Sequence, residues 1–183
     1  MTKETEVRFL EINKNELITS ALQLGAEDFG EQVLEEVIFN WNTSGVRDRR
    51  FIRIRKKGDE VTMTYKEHAL NPEDGAEEID VKIDDLERGV EFLEKLGYPP
   101  FRRQQKKRHA LRLEKVFLDI DTWPKIPTYV ELEGPTMESL QDAAVKLNLD
   151  WSKVVYQDAR AVIENVYHIP VGDMKWFTFD KFE

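Results

Sequence analysis

Charged residues recur along this chain in pairs two positions apart. The pairs are Glu4-x-Glu6 with Arg8 two positions on, Arg53-x-Arg55, Glu78-x-Asp80, Lys106-x-Arg108, Asp119-x-Asp121 and Glu131-x-Glu133, while Lys66 closes the run Val61-Thr62-Met63-Thr64-Tyr65-Lys66. Side chains alternate across a strand, so the members of each pair share one face. Two close carboxylates repel each other unless a cation lies between or opposite them, and a divalent metal ion or the basic strands could serve. The sequence has no cysteine and three histidines, His68, His109 and His168, which excludes thiolate chemistry and argues against zinc; a metal here would be held by oxygen. His109 alternates with Leu111 and Leu113 rather than with Lys106, Arg108 and Arg112, so it reads as a structural histidine.

The elements that must carry these pairs are short strands interleaved with amphipathic helices. The first strand, Glu4 to Phe9, sets Glu4, Glu6 and Arg8 opposite Thr5, Val7 and Phe9. Asn13 or Asn15 caps a helix bearing Leu17, Ile18, Ala21, Leu22 and Leu24, with Gly25 as its stop. Gln32 to Asn40 is strand-like, Asn42-Thr43-Ser44-Gly45 is a turn, and Arg50 to Lys56 and Val61 to Lys66 form a hairpin about Gly58-Asp59 with a cationic side. Asn71-Pro72-Glu73-Asp74-Gly75 is a polar loop before the strand Glu78 to Ile83, and Asp84 or Asp85 caps a second helix that ends at Gly97. Lys106 to Leu113, Val116 to Asp121 and Tyr129 to Glu133 are further strands. A third helix follows Thr136, a fourth carries Ala159, Val162, Ile163 and Val166, and Lys175 to Phe182 reads as an extra strand or a packed lid. Trp123, Trp151 and Trp176 read as core or lid residues rather than as stacking platforms.

At 183 residues the chain is long enough for one domain with a substantial core, with a helical and aromatic extension from about residue 135. No stretch approaches the roughly 18 apolar residues of a membrane span and the opening residues lack the apolar core of a signal peptide, so a cytoplasmic location and no membrane partner are expected. The net charge of −9 argues against general nucleic-acid binding, yet the cations concentrate between Arg47 and Lys66 and between Arg102 and Lys115. That distribution suits a local anionic ligand better than a long polyanion. A homodimer is compatible with everything above.

In a sandwich the apolar faces of such strands would meet and the charged faces would see water. The recurrence of acidic and basic strands favours the inverse arrangement: an α+β fold in which a closed eight-stranded antiparallel barrel turns its charges into a hydrated tunnel, flanked by helices on its apolar outer face. Charges lining a tunnel demand charged occupants, namely polyphosphate oxygens for the cations and divalent metal for the carboxylates.

The ordered series from Glu4-x-Glu6-x-Arg8 through Glu131-x-Glu133 resembles the CYTH domain, the triphosphate tunnel metalloenzyme family of class IV adenylyl cyclases, thiamine triphosphatases and inorganic triphosphatases. The resemblance implies a triphosphate site with Mg²⁺ or Mn²⁺. Arg8, Arg53, Arg55, Lys66, Lys106, Arg108 and Arg112 would meet phosphate; Glu4, Glu6, Asp119, Asp121, Glu131 and Glu133 would supply metal ligands; Glu78 and Asp80 would line the tunnel. Glu4, Glu6, Arg8 and Lys66 form the catalytic set that it implies. The family motif usually ends in lysine where this chain has Arg8, and arginine clamps phosphate but does not take up a proton as a base. Thr122-Trp123-Pro124-Lys125-Ile126-Pro127 replaces an expected glycine-rich connection. The implied activity is metal-dependent hydrolysis of inorganic triphosphate, a nucleoside triphosphate such as ATP, or thiamine triphosphate. Cyclic AMP formation from ATP is the alternative within the family, and non-catalytic nucleotide or polyphosphate binding the alternative outside it.

Overall fold

The computed structural model describes residues 5–40, 49–70 and 76–183. Glu4, the turn Asn42-Thr43-Ser44-Gly45 and the loop Asn71-Pro72-Glu73-Asp74-Gly75 lie outside the described residues. In chain order the elements are β1 (Thr5–Phe9), α1 (Lys14–Gln23), β2 (Glu27–Asn40), β3 (Arg50–Lys57), β4 (Glu60–His68), β5 (Ala76–Ile83) and α2 (Leu86–Lys95). They continue with β6 (Arg102–Leu113), β7 (Val116–Thr122), β8 (Tyr129–Gly134), α3 (Met137–Lys146), a single 3₁₀ turn at Trp151–Lys153, α4 (Ala159–Asn165) and β9 (Trp176–Phe177).

Polar caps start the helices where the sequence places them. Asn13 accepts from the Glu16 amide, Asp85 from Arg88, and Thr136 exchanges reciprocal bonds with Ser139 in a capping box. Two strands run longer than their hydrophobic patterns predict. β2 begins at Glu27 instead of Gln32, because Gly30, at φ +76°, absorbs a bulge between Asp28 and Glu31 that lets the ladder with β6 continue past it. β6 begins at Arg102, since its polar first half pairs with β2 from Arg102 opposite Ile38 onward.

The sheet runs β1-β8-β7-β6-β2-β3-β4-β5, with every neighbour antiparallel, and β9 adds a short parallel pairing on β6. It curls into a half-barrel that stays open, which corrects the closed barrel expected from the alternation. Closure would require β1 to pair with β5, but the free edge of β1 is already taken. Arg8 exchanges backbone hydrogen bonds of 2.8 and 2.9 Å with Val155, so the C-terminal segment fills that edge. β5 is left at the other end, with Ile79 and Val81 exposed on its outer side.

The apolar outer face is covered in two places. Val7, Phe9, Leu111, Leu118, Ile120, Val130 and Leu132 pack under α1 and α3, while Val37, Phe39, Ile54 and Val61 pack under α2. A third cluster, comprising Trp123, Tyr129, Ile163, Val171, Met174 and Phe177, joins the C-terminal segment to the ends of β7 and β8. There Trp123 donates to the Tyr129 hydroxyl at 2.9 Å and stacks on Phe177 at 5.6 Å, so Trp123 is a core residue and the tail is a packed strand. His109 bonds Asp28 at 2.8 Å on the outer face, in the structural role expected of it. No helix among the described residues is long and apolar enough to cross a membrane.

Leu132 is fully buried between β1, β7 and α3, whereas Val145 is 73% exposed on α3. Leu132→Ala is expected to cost about 2–5 kcal/mol in urea unfolding through the cavity it leaves. Val145→Ala should shift stability by no more than about 0.5 kcal/mol.

Candidate active site

Strand register turns the sequence pairs into walls. Across β1, β8 and β7, Glu6 lies opposite Glu133, Arg8 opposite Glu131, and Glu131 opposite Asp119. Across β2, β3 and β4, Glu36 lies opposite Arg55, Ile38 opposite Arg53, and Arg53 opposite Thr64. Lys66 faces Glu78 and Thr64 faces Asp80 on β5. The concave face of the half-barrel encloses a cavity of about 570 Å³. Its lining brings together Glu6, Arg8, Arg53, Arg55, Lys66, Glu78, Asp80, Lys106, Arg108, Glu131 and Glu133 from the residues picked out by the alternation.

Asp119 and Asp121 sit beneath this surface, at the seam between the acidic and basic walls. Asp121 has no exposed surface: Arg108 grips it with Nε at 2.6 Å and a terminal amine at 2.7 Å, and Lys106 reaches the same carboxylate at 2.7 Å. Arg108 also bonds Asp119 and reaches Glu131 at 3.4 Å. Asp121 is held by both Arg108 and Lys106 with no exposed surface, whereas Asp119, Glu131 and Glu133, the first two also paired with Arg108 or Arg8, have ligand oxygens within 4.8 Å of one another and could hold a metal. An all-carboxylate donor set is suited to Mg²⁺ or Mn²⁺. Arg112 is not brought to the cavity. It lies toward the far end of the twelve-residue β6, pairs with Glu27 and rests over the Phe29 ring at 5.9 Å.

Arg8 is held by both terminal amines, while its buried Nε has no hydrogen-bond partner among the described residues. One terminal amine donates to the Gln157 carbonyl at 2.8 Å, and the other to Glu6 at 2.9 Å and to Glu131. Burial disfavours its charged form, but Glu131 and Glu6 outweigh burial and raise its pKa, so it stays cationic. It orients two carboxylates and ties β1 to the C-terminal segment.

The basic wall is crowded with like charge. Burial and the neighbouring Arg55 pull Arg53 down to about 10, and its Nε is enclosed without a hydrogen-bond partner among the described residues. Burial, then Arg108, lowers Lys106, which stacks over Trp123 at 5.1 Å. Burial and the nearby Arg160 bring Arg102 to about 10. Cations this close, with an arginine nitrogen left unsatisfied, form a site whose electrostatics an anion would relieve.

Several lining residues carry no signal in the pairwise pattern. Glu36 is 3% exposed and accepts from Arg55 Nε and from the Gln104 amide, both at 2.6 Å. It is hidden in the sequence because Glu35-Glu36 interrupts an apolar strand and reads as a solvated pair. Period-two alternation from Leu34 through Glu36 to Ile38 would have found it. Gln104 continues the alternation of Lys106 and Arg108 but is neutral. Arg102 lies on the same face of β6 as Gln104, and Asp158 and Arg160 reach the cavity through the docking of the C-terminal segment.

Burial opposes the charged form of Glu36, but Arg55, Arg53 and Lys106 outweigh it and hold the carboxyl far below the usual range. Burial likewise opposes ionised Glu131, and Arg8 and Arg108 overcome it. Asp119 goes the other way: burial and the neighbouring Glu131 and Asp121 raise it in spite of Arg108, a mismatch that a cation would relieve. A depressed folded pKa contributes stability that is complete above the unfolded value, near 4.5 for both glutamates, and is lost as pH falls through the folded values. The urea midpoint is therefore expected to decline as pH drops below about 4.5, and Glu36→Gln should flatten that decline. A midpoint independent of acid over this window would contradict the buried ion pairs.

Comparison with known proteins agrees with this geometry. Residues 2–166 match the CYTH domain model. A protein of Methanocaldococcus jannaschii named "Putative adenylate cyclase" is 28% identical over 135 residues, spanning 71% of this chain and 75% of its own length. The PH1012 protein of Pyrococcus horikoshii superposes with a TM-score of 0.72 at 23% identity, covering 85% of this chain and 96% of that one. A Hippeastrum protein, described as a "Putative adenylyl cyclase" with a dominant triphosphatase activity, superposes with a TM-score of 0.62 at 16% identity, covering 93% and 99%. With a domain match spanning most of the sequence and the charged half-barrel to go with it, the chain belongs to the CYTH domain family.

Proposed function

We propose that this protein is a metal-dependent hydrolase of a triphosphate-bearing substrate. The observation that carries the reading is the juxtaposition, on one concave face, of a crowded cationic wall containing Arg53, whose Nε has no partner among the described residues, and three carboxylates close enough together to share a metal ion. A polyanion satisfies the first and a divalent cation the second, and phosphoryl transfer needs little beyond their positioning. Arg53, Arg55, Lys66, Lys106 and Arg108 would hold the phosphate oxygens and offset the charge that develops on the transferred group. Asp119, Glu131 and Glu133, with Glu6 beside them, would hold Mg²⁺ or Mn²⁺. When bound, the ion supplies positive charge between these carboxylates and the phosphates. Arg8, held by Gln157, Glu6 and Glu131, keeps that acidic wall in place and does not act as a base.

A second reading, cyclisation of ATP, is favoured by the size and lining of the cavity. At about 570 Å³ it lies within the roughly 300–1,000 Å³ of sites for organic ligands, and Phe51, His68 and Phe101 are among its walls. The names of the relatives point both ways, since the Hippeastrum protein is described by both activities.

The deciding experiment incubates the purified protein with inorganic tripolyphosphate, ATP or thiamine triphosphate in the presence of Mg²⁺, Mn²⁺ or EDTA, and measures phosphate, pyrophosphate and cyclic AMP together. Metal-dependent phosphate release is expected, and pyrophosphate with cyclic AMP would establish cyclisation instead. Arg53→Ala should lower kcat/KM by about 10²–10³, and Glu133→Gln should raise the metal concentration needed for half-maximal rate. Full activity in both variants, or undiminished activity in EDTA, would refute the assignment.

A further inference from the structure

The carboxylate of Glu36 stands among cations that are placed to bind an anion, where a negative charge weakens anion binding unless it does something else. Its surroundings show what that is. Arg102 donates from a terminal amine to the Val171 carbonyl at 2.6 Å and from Nε to Gln104 Oε1 at 2.8 Å. Gln104 Nε2 donates to Glu36 Oε2 at 2.6 Å, and Glu36 Oε1 accepts from Arg55 Nε at 2.6 Å. The chain of bonds crosses β6, β2 and β3 in one line, and Arg102, Gln104 and Glu36 are each less than 9% exposed. Val171, at its far end, is 1% exposed in the cluster that seats the C-terminal segment.

We propose that Glu36 and Gln104 are positioning residues: they form a relay that fixes the Arg55 guanidinium against the phosphates of the substrate and is anchored through Arg102 on the C-terminal segment. The inference rests on the triphosphate reading of the cavity. Position 104 must accept on one side and donate on the other, which a primary amide does and neither a carboxylate nor an ammonium can do. Position 36 must accept from both sides, which a carboxylate does. Taking Arg55 by Nε turns its terminal amines to the cavity it lines, and removes the rotamer freedom that a long side chain would otherwise lose on binding. A buried polar network is costly unless every member is satisfied, and these bonds close it.

The donor and acceptor roles can be exchanged, which supplies the test. Inorganic tripolyphosphate is titrated calorimetrically, with Mg²⁺ at neutral pH, into the wild type, Gln104→Glu, Glu36→Gln and the double variant, and thermal midpoints are recorded for each. Gln104→Glu sets two acceptors face to face, and Glu36→Gln leaves an amide nitrogen opposed to a donor. Each single change should weaken binding by about tenfold or more. In the double variant the glutamine introduced at 36 accepts from Arg55 and donates to the carboxylate introduced at 104, which still accepts from Arg102. Binding should then return to within about threefold of the wild type. Singles that bind like the wild type, or a double variant as weak as the singles, would overturn the relay. Should Gln104→Glu not fold, Glu36→Gln against the double variant decides the same question. A wild type that does not bind tripolyphosphate would remove the triphosphate reading and the relay with it, whereas binding unchanged across all variants removes the relay alone.

Discussion

Asp121 has no exposed surface, and two cations converge on it. An isolated carboxylate at that depth would be prohibitive, and an isolated Lys106 or Arg108 nearly so. Together they form the seam along which a basic strand, β6, lies beside an acidic one, β7, with Arg108 directly opposite Asp121 in register. From that seam the sheet extends in two directions. Through β8 and β1 it carries carboxylates, and through β2, β3 and β4 it carries mainly cations. The cavity is the space between these two runs.

Such a network contributes specificity more than net stability, because the cost of desolvating the charges offsets much of their attraction. The apolar stabilisation comes from the outer face, where α1, α2 and α3 cover the strands. Division of labour between the two faces follows from the period of two along each strand. A shift of one residue in any pairing would move charge under the helices and leucine into the cavity.

The C-terminal segment completes the arrangement and also limits it. Val155 occupies the edge of β1, Gln157 takes a bond from Arg8, and Val171 takes one from Arg102. These contacts add Asp158 and Arg160 to the lining and seat Phe177 beside Trp123. They also occupy the edge that β5 would need to close a barrel. The open half-barrel and the composition of its wall therefore have one cause.

Much of the site is legible in the chain itself. Charged residues at i and i+2 within strand-like runs can only share a face, so Arg53 with Arg55, Lys106 with Arg108 and Glu131 with Glu133 are assigned to one side by local geometry alone. The helix caps at Asn13, Asp85 and Thr136 are local too, since each depends on a side chain reaching the amide three residues on. What required the tertiary structure was everything set by register and docking. Arg108 reaches both Asp119 and Asp121 from another strand, but Lys106 reaches Asp121 alone, and Arg112 leaves the cavity because β6 outruns it and meets Glu27 instead. Glu36 looks like half of a solvated pair until Arg55 and Gln104 approach from either side. Closure, which alternation cannot report, turned on which backbone reached the edge of β1. A sequence specifies which face a side chain takes, but partners across strands are chosen by long-range packing that no local spacing encodes.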